Sequence, residues 1–154
     1  MLFSKSVEYA IQAMIYLARK KSETPIMIRE IAEAYGIPHQ FLSKIVQTLV
    51  KHRILVAVRG RKGGVNLARP AQEIFLPQII QAIEGPPPEE DVCIFGLDLC
   101  SDTQPCPLHD RWKHIKVDID EMLESPNLAE LARRVTEKHE AMNRRRTAGG
   151  KGDN

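Results

Sequence analysis

The feature that most constrains this chain is the hexapeptide Arg59-Gly60-Arg61-Lys62-Gly63-Gly64, which lies between two short aliphatic runs. Ile54 to Val58 reads as a strand and Val65 to Ala68 as its return, since short β-branched runs bounded by glycine favour a hairpin. Glycine accepts backbone conformations that other residues resist, and the cations Arg59, Arg61 and Lys62 keep the tip in solvent. An ordinary hairpin with solvated charges is the plain alternative. What precedes the hairpin argues for more than that.

The spacing predicts a helix over residues 4 to 21, with Val7, Ala10, Ile11, Met14, Ile15, Leu17 and Ala18 on its apolar side. It ends in Arg19-Lys20-Lys21, and cations suit a helix C-terminus. After a turn over Ser22 to Pro25, Ile28, Ile31 and Ala32 mark a second, short helix that stops at Tyr35-Gly36. Pro38 then opens a third helix without wasting an amide. Leu42, Ile45, Val46, Leu49 and Val50 form its inner face, and His39, Gln40, Ser43, Lys44 and Gln47 its outer one. A helix pair joined by a tight glycine turn and followed by a basic hairpin is the layout of a winged helix-turn-helix.

Charge follows the same division. Residues 1–69 carry 12 Lys/Arg against 4 Asp/Glu, whereas residues 70–142 carry 6 against 15. A basic N-terminal part suits a polyanion, and the acidic part faces elsewhere. Double-stranded DNA is the expected partner. Helix-turn-helix geometry brings Pro38, His39, Gln40 and Lys44 towards base edges, with Gln40 suited to adenine and Lys44 to guanine. Ser43, Gln47, Lys51 and Lys5 are expected to hold phosphates. Arg59 or Arg61 would enter the minor groove from the wing, with Lys62 beside them. No phosphate-binding glycine motif and no paired acid-base constellation points to an enzyme.

Downstream, residues 74 to 84 read as a short helix, stopped by Gly85-Pro86-Pro87-Pro88. A loop then runs to Pro107. Beyond it Leu108, Trp112, Ile115, Ile119 and Met122 recur at four- and three-residue steps as far as Ser125-Pro126, a narrow coiled-coil-like seam. Such a seam on a polar helix is expected to pack against a second copy, giving a two-fold homodimer, with intramolecular packing as the alternative. Leu128, Leu131, Val135 and His139 outline a last helix. The expected fold is mainly α with a small β-wing. Residues 1–84 form the winged helix-turn-helix domain, 85–107 a cysteine-containing cofactor loop, 108–142 the dimerisation and C-terminal helices, and 143–154 a disordered basic tail. The run Val7 to Ala18 is interrupted by Glu8 and Gln12 and is too short to cross a bilayer, so no membrane association and a cytoplasmic location are expected.

The chain has 3 cysteines, Cys93, Cys100 and Cys106, all in that loop. An odd number in a chain without an export signal argues against a disulfide framework and for metal ligands or redox-active thiols. Three buried small hydrophobes, a structural zinc and a reversible thiol switch are the alternatives. His109 lies three residues after Cys106, where one helical turn would bring its imidazole to the same face.

The string Val58-Arg59-Gly60-Arg61-Lys62-Gly63-Gly64-Val65-Asn66-Leu67-Ala68-Arg69, the opening Leu2-Phe3-Ser4-Lys5-Ser6-Val7-Glu8-Tyr9-Ala10 and the cysteine loop together resemble the Rrf-two family of bacterial winged-helix regulators. The resemblance covers residues 1 to about 142. It implies a homodimer on a roughly palindromic operator, with a repressor's role, and in many members an iron-sulfur cluster that controls DNA binding. It implies Cys93, Cys100 and Cys106 as ligands. The fourth would be His109 or, as in nitric-oxide-sensing members, an acidic residue, here Glu8 from the partner subunit. A 2Fe-2S cluster is favoured and 4Fe-4S suits the same ligand number. Some family members act without metal, through thiols or protein partners. The chain departs from the pattern in the first cysteine gap, in Val65 at a wing position that is often aromatic, and in Pro38-His39 at the head of the recognition helix, so operator sequence does not transfer.

Overall fold

A computed structural model describes residues 3–22, 24–86, 93 and 100–149, with side chains to Arg145. Helix α1 (Lys5–Lys20) starts where the Ser4 hydroxyl accepts the Val7 amide at 3.4 Å, satisfying one of the orphan donors of a first turn. Its apolar stripe, Val7, Ala10, Ala13, Met14, Leu17 and Ala18, is buried. Helix α2 (Ile28–Tyr35) ends at Gly36, whose φ of 64° lets the Ile37 amide reach back to the Ala32 carbonyl at 2.9 Å. Pro38 precedes α3 (His39–Lys51) rather than lying inside it. Helix α3 closes in the same way as α2: the Arg53 and Ile54 amides donate to the carbonyls of Val50 and Leu49, each at 3.0 Å, with Arg53 itself at φ 57°.

Strands β1 (Leu55–Val58) and β2 (Gly64–Leu67) pair antiparallel, Leu55 opposite Leu67 and Val58 opposite Gly64. Ile26 adds a bridge to Val65, its amide donating at 3.0 Å and its carbonyl accepting at 2.9 Å, so the wing is stitched to the segment before α2. That stitch explains Gly64, where a Cβ would lie 2.3 Å from the Ile26 carbonyl oxygen. Only Gly60, at φ 117°, uses the left-handed freedom expected of all three wing glycines; Gly63 and Gly64 are there for close approach.

A 3-10 turn at Ala71–Glu73 leads to α4 (Leu76–Glu84). That helix begins two residues after the expected position because the Gln78 side-chain oxygen accepts from both the Phe75 amide at 3.1 Å and the Arg69 guanidinium at 3.0 Å, which holds Phe75 extended. Helices α5 (His109–Glu124) and α6 (Leu128–Gly149) follow. Leu128 and Ala132 join the core of α1 to α4, and the Leu128 amide donates to the Ile74 carbonyl at 2.7 Å, so α6 packs on the N-terminal domain. It also continues beyond Met142 to Gly149, which corrects the expectation of disorder from residue 143. Pairs one turn apart, Arg134 with Glu130 and Arg144 with Glu140, support it, and Ala, Met and Arg are good helix formers. Residues 150–154 lie outside the described residues. Helix α5 touches α4 and buries none of its residues. Among the described residues no helix is long and apolar enough to cross a membrane.

Candidate functional site

Apart from Lys5, the residues expected to meet DNA lie on the outer side of α3 and on the wing. At the head of α3, Pro38, His39 and Gln40 are exposed, as are Lys44, Gln47 and Lys51 along it. The opposite side of the helix, Leu42, Ile45, Val46 and Leu49, is buried, which fixes which face looks outward. Ser43 is half-buried and its hydroxyl donates to the His39 carbonyl at 2.9 Å, so it braces the first turn of the helix. On the wing Arg59, Arg61 and Lys62 are exposed and stand outside every ion pair found among the described residues. Their charge is available to an external anion. Phe41 was absent from the sequence reading. It is 42% exposed at the head of α3 and meets Tyr9 edge-on with centroids 5.7 Å apart, while Lys5 Nζ lies 5.4 Å from the Tyr9 ring centre. An aromatic on a recognition helix that does not fit the buried stripe was the available signal.

The second site lies at the head of α5. The sulfurs of Cys93, Cys100 and Cys106 lie within 4.8 Å of one another, with Cys93 and Cys100 buried and Cys106 half-buried. His109, the first residue of α5, places Nδ1 3.1 Å from Cys100 Sγ at one edge of the trio. Its other ring nitrogen, Nε2, is 2.9 Å from Asp102 Oδ1, and Lys113 Nζ holds both oxygens of that carboxylate at 2.9 Å. Asp102 and Lys113 escaped the sequence reading, although Lys113 is one turn on from His109. Glu8 of the same chain is half-buried and accepts from Lys5 at 2.6 Å. Most of the expected loop 85–107 lies outside the described residues.

The thiols differ in acidity for identifiable reasons. The Leu108 amide, at the N-terminal end of α5, points at Cys106 Sγ and the Cys100 thiol adds to it, which lowers the Cys106 pKa. Cys100 receives the Cys106 amide at 3.5 Å, which favours its thiolate, but burial and the neighbouring sulfurs of Cys106 and Cys93 outweigh that and raise its pKa. Lys113, and after it His109, holds the Asp102 carboxyl below the usual carboxylate range. Three convergent soft donors with an imidazole beside them suit iron in a sulfur-rich cluster or a thiophilic ion such as zinc. The donor set therefore fits the group that the sequence resemblance implies.

Comparison with known proteins agrees with this architecture. Residues 3–134 match the Rrf2 family, described as an iron-dependent transcriptional regulator. A protein of Mycobacterium tuberculosis (strain H37Rv) bearing the name of an HTH-type transcriptional regulator is 36% identical over 142 residues, covering 92% of this chain and 87% of the relative. Among solved structures, CymR, the global cysteine regulator of B. subtilis, superposes with a TM-score of 0.73 at 26% identity over 87% of this chain and 98% of its own. IscR of T. potens gives 0.71 at 28% identity over 90% of each chain. The family match spans the helix-turn-helix, the wing, the cysteine site and α5, so the chain belongs to the Rrf2 family of winged helix-turn-helix transcriptional regulators.

Proposed function

We propose that this regulator binds a roughly palindromic DNA operator as a homodimer, as a repressor, and that an iron-sulfur cluster held by Cys93, Cys100, Cys106 and His109 sets its operator affinity. The observation that carries the reading is the convergence of three sulfurs within 4.8 Å at the head of α5, with His109 Nδ1 3.1 Å from one of them. When bound, the cluster supplies one-electron redox chemistry and sensitivity to oxygen, nitric oxide or iron supply. The protein's own part is mechanical. Cys106 and His109 bracket the start of α5, the His109 amide donating to the Cys106 carbonyl at 3.0 Å, so ligation at these residues fixes where α5 begins. Helix α5 carries the dimer seam, and the separation of two recognition helices must match a half-site spacing set by DNA.

A single zinc ion is the second reading, because the same convergence suits it. Tetrahedral thiolates at about 2.3 Å from zinc stand about 3.8 Å apart, and the three sulfurs here lie within 4.8 Å of one another. Protein purified without oxygen decides between the two. Visible charge-transfer bands with matching iron and sulfide support the cluster. Colourless protein with one zinc makes the site structural, and colourless protein without metal moves the weight to a thiol switch. For the regulatory step, holo and apo protein are expected to differ clearly in affinity for an operator found by in vitro selection. Equal affinities remove the cluster's regulatory role.

A further inference from the structure

We propose that Asp102, braced by Lys113, is a positioning residue for His109, and that it commits the imidazole to bind the metal group through Nδ1 rather than Nε2. The inference rests on the reading of the site as a metal centre. It goes beyond that reading by assigning the ligating atom and the residues that select it.

The two ring nitrogens of His109 face different groups. His109 is 13% exposed, and its Nε2 lies 2.9 Å from a carboxylate oxygen of Asp102. An ionised carboxylate only accepts hydrogen bonds, so Nε2 must carry the proton. In the neutral ring Nδ1 then holds the lone pair, and it is Nδ1 that faces the sulfurs, 3.1 Å from Cys100 Sγ. A metal-ligating histidine whose other nitrogen donates to a carboxylate has both its tautomer and its ring orientation fixed.

Asp102 is itself held. Lys113 Nζ contacts both carboxylate oxygens at 2.9 Å, and Lys113 lies four residues after His109 on α5, on the same face of the helix. The loop side is held as well: the Gln104 amide donates to the Ser101 carbonyl at 3.1 Å, and the Ser101 and Thr103 hydroxyls are 2.9 Å apart. Asp102 therefore joins the turn between Cys100 and Cys106 to the first two turns of α5. The carboxylate is 69% exposed, so solvent screens its charge. Its effect is orientation more than electrostatic strength, and an asparagine whose side-chain oxygen accepts the same Nε2 proton should replace it.

The test uses full-length protein grown in a histidine auxotroph with histidine labelled with nitrogen-15 at δ1 alone or at ε2 alone. The protein is reconstituted anaerobically with iron and sulfide, chemically reduced, and read by electron-nuclear double resonance. The strong, ligating nitrogen coupling is expected to change isotope in the δ1 sample and to stay unchanged in the ε2 sample. Asp102→Asn is expected to retain this pattern. Asp102→Ala is expected to divide the strong coupling between the two labels, which a merely structural role, altering only the amount of cluster retained, would not do. If the site takes up zinc instead, nitrogen-cadmium coupling in cadmium-exchanged protein reads the same atom. A strong coupling from ε2 overturns the proposal. A loaded protein with no strong histidine coupling overturns it too, while leaving the metal centre standing with another fourth ligand. Protein that binds neither iron and sulfide nor zinc overturns both readings together.

Discussion

At the scale of single residues, the clearest unforeseen contact is a cluster between the first two helices. Glu30 accepts from the Tyr16 hydroxyl and from Lys20 Nζ, each at 2.8 Å. Lys20, and after it Tyr16, holds the Glu30 carboxyl below its ordinary range. A depressed folded-state pKa contributes stability above the unfolded value of about 4.3, and that contribution is lost as pH falls through the lower folded value. Glu30 is 42% exposed, so screening reduces the effect. The expected outcome is that Glu30→Gln lowers the melting temperature at neutral pH and that the difference closes as the pH is taken below about 4. A difference that stays constant down to strongly acidic pH would assign the loss to packing. No local pattern could reveal this cluster, because Tyr16 and Glu30 are brought together only when α2 docks on α1. The same holds for Asp102 and His109, whereas the cysteines were legible because sulfur donors crowded into one loop have few other uses. On the outer face of α3, Gln40→Ala is expected to relax base preference, and Lys51→Ala to weaken binding to all sequences and flatten the salt dependence by about one unit of slope. Equal losses on specific and random DNA for both variants would undo that division of labour.

At the scale of elements, the helix-turn-helix and wing hold their geometry through two glycines that act differently. Gly36 has open space around it but sits at φ 64°, so Gly36→Ala costs backbone strain alone, about 1–2 kcal/mol. Gly64 lies in ordinary backbone, yet an added methyl would meet the Ile26 carbonyl oxygen at 2.3 Å, a displacement costing about 1–3 kcal/mol. Thermal melts should show both losses. Protection of the Ile26 and Val65 amides from hydrogen exchange should fall much further in Gly64→Ala than in Gly36→Ala, because only the former forces the bridge apart. If the two variants leave that bridge equally protected, the steric role of Gly64 is wrong. Helices α1 to α3 and the hairpin were readable from the sequence because each obeys a local rule of periodicity, capping or turn chemistry. The late start of α4 was not, since it depends on Arg69 and Phe75 sharing one glutamine oxygen. The length of α6 was misjudged because its charge-rich end resembles a solvated tail until pairs one turn apart are counted.

At the scale of the whole molecule, the packing among the described residues leaves one helix, α5, with no buried residue. Helix α6 returns to α1 and completes the core, whereas α5 rests on α4 and on the cysteine turn, with Leu108 46%, Ile115 42% and Met122 56% exposed, seven residues apart on one row. Trp112 and Ile119 lie half-buried on the adjoining row. A period of seven on an exposed helix is the pattern by which two helices bury one seam against each other, and the proposed dimer would use it. Ile115→Glu places a charge in the middle of that row, and like charges facing each other across a two-fold axis repel. The variant has little to lose within its own subunit, where Ile115 is already exposed. Sedimentation should therefore show a dimer for the natural chain and a monomer for Ile115→Glu, with melting of the winged domain close to unchanged. Operator affinity should fall far more than affinity for random DNA, because half-site spacing is read only by two linked recognition helices, while phosphate attraction to Lys51, Arg59 and Arg61 survives in the monomer. A variant that remains dimeric would move the interface off α5 and with it the route by which the cysteine site reaches DNA.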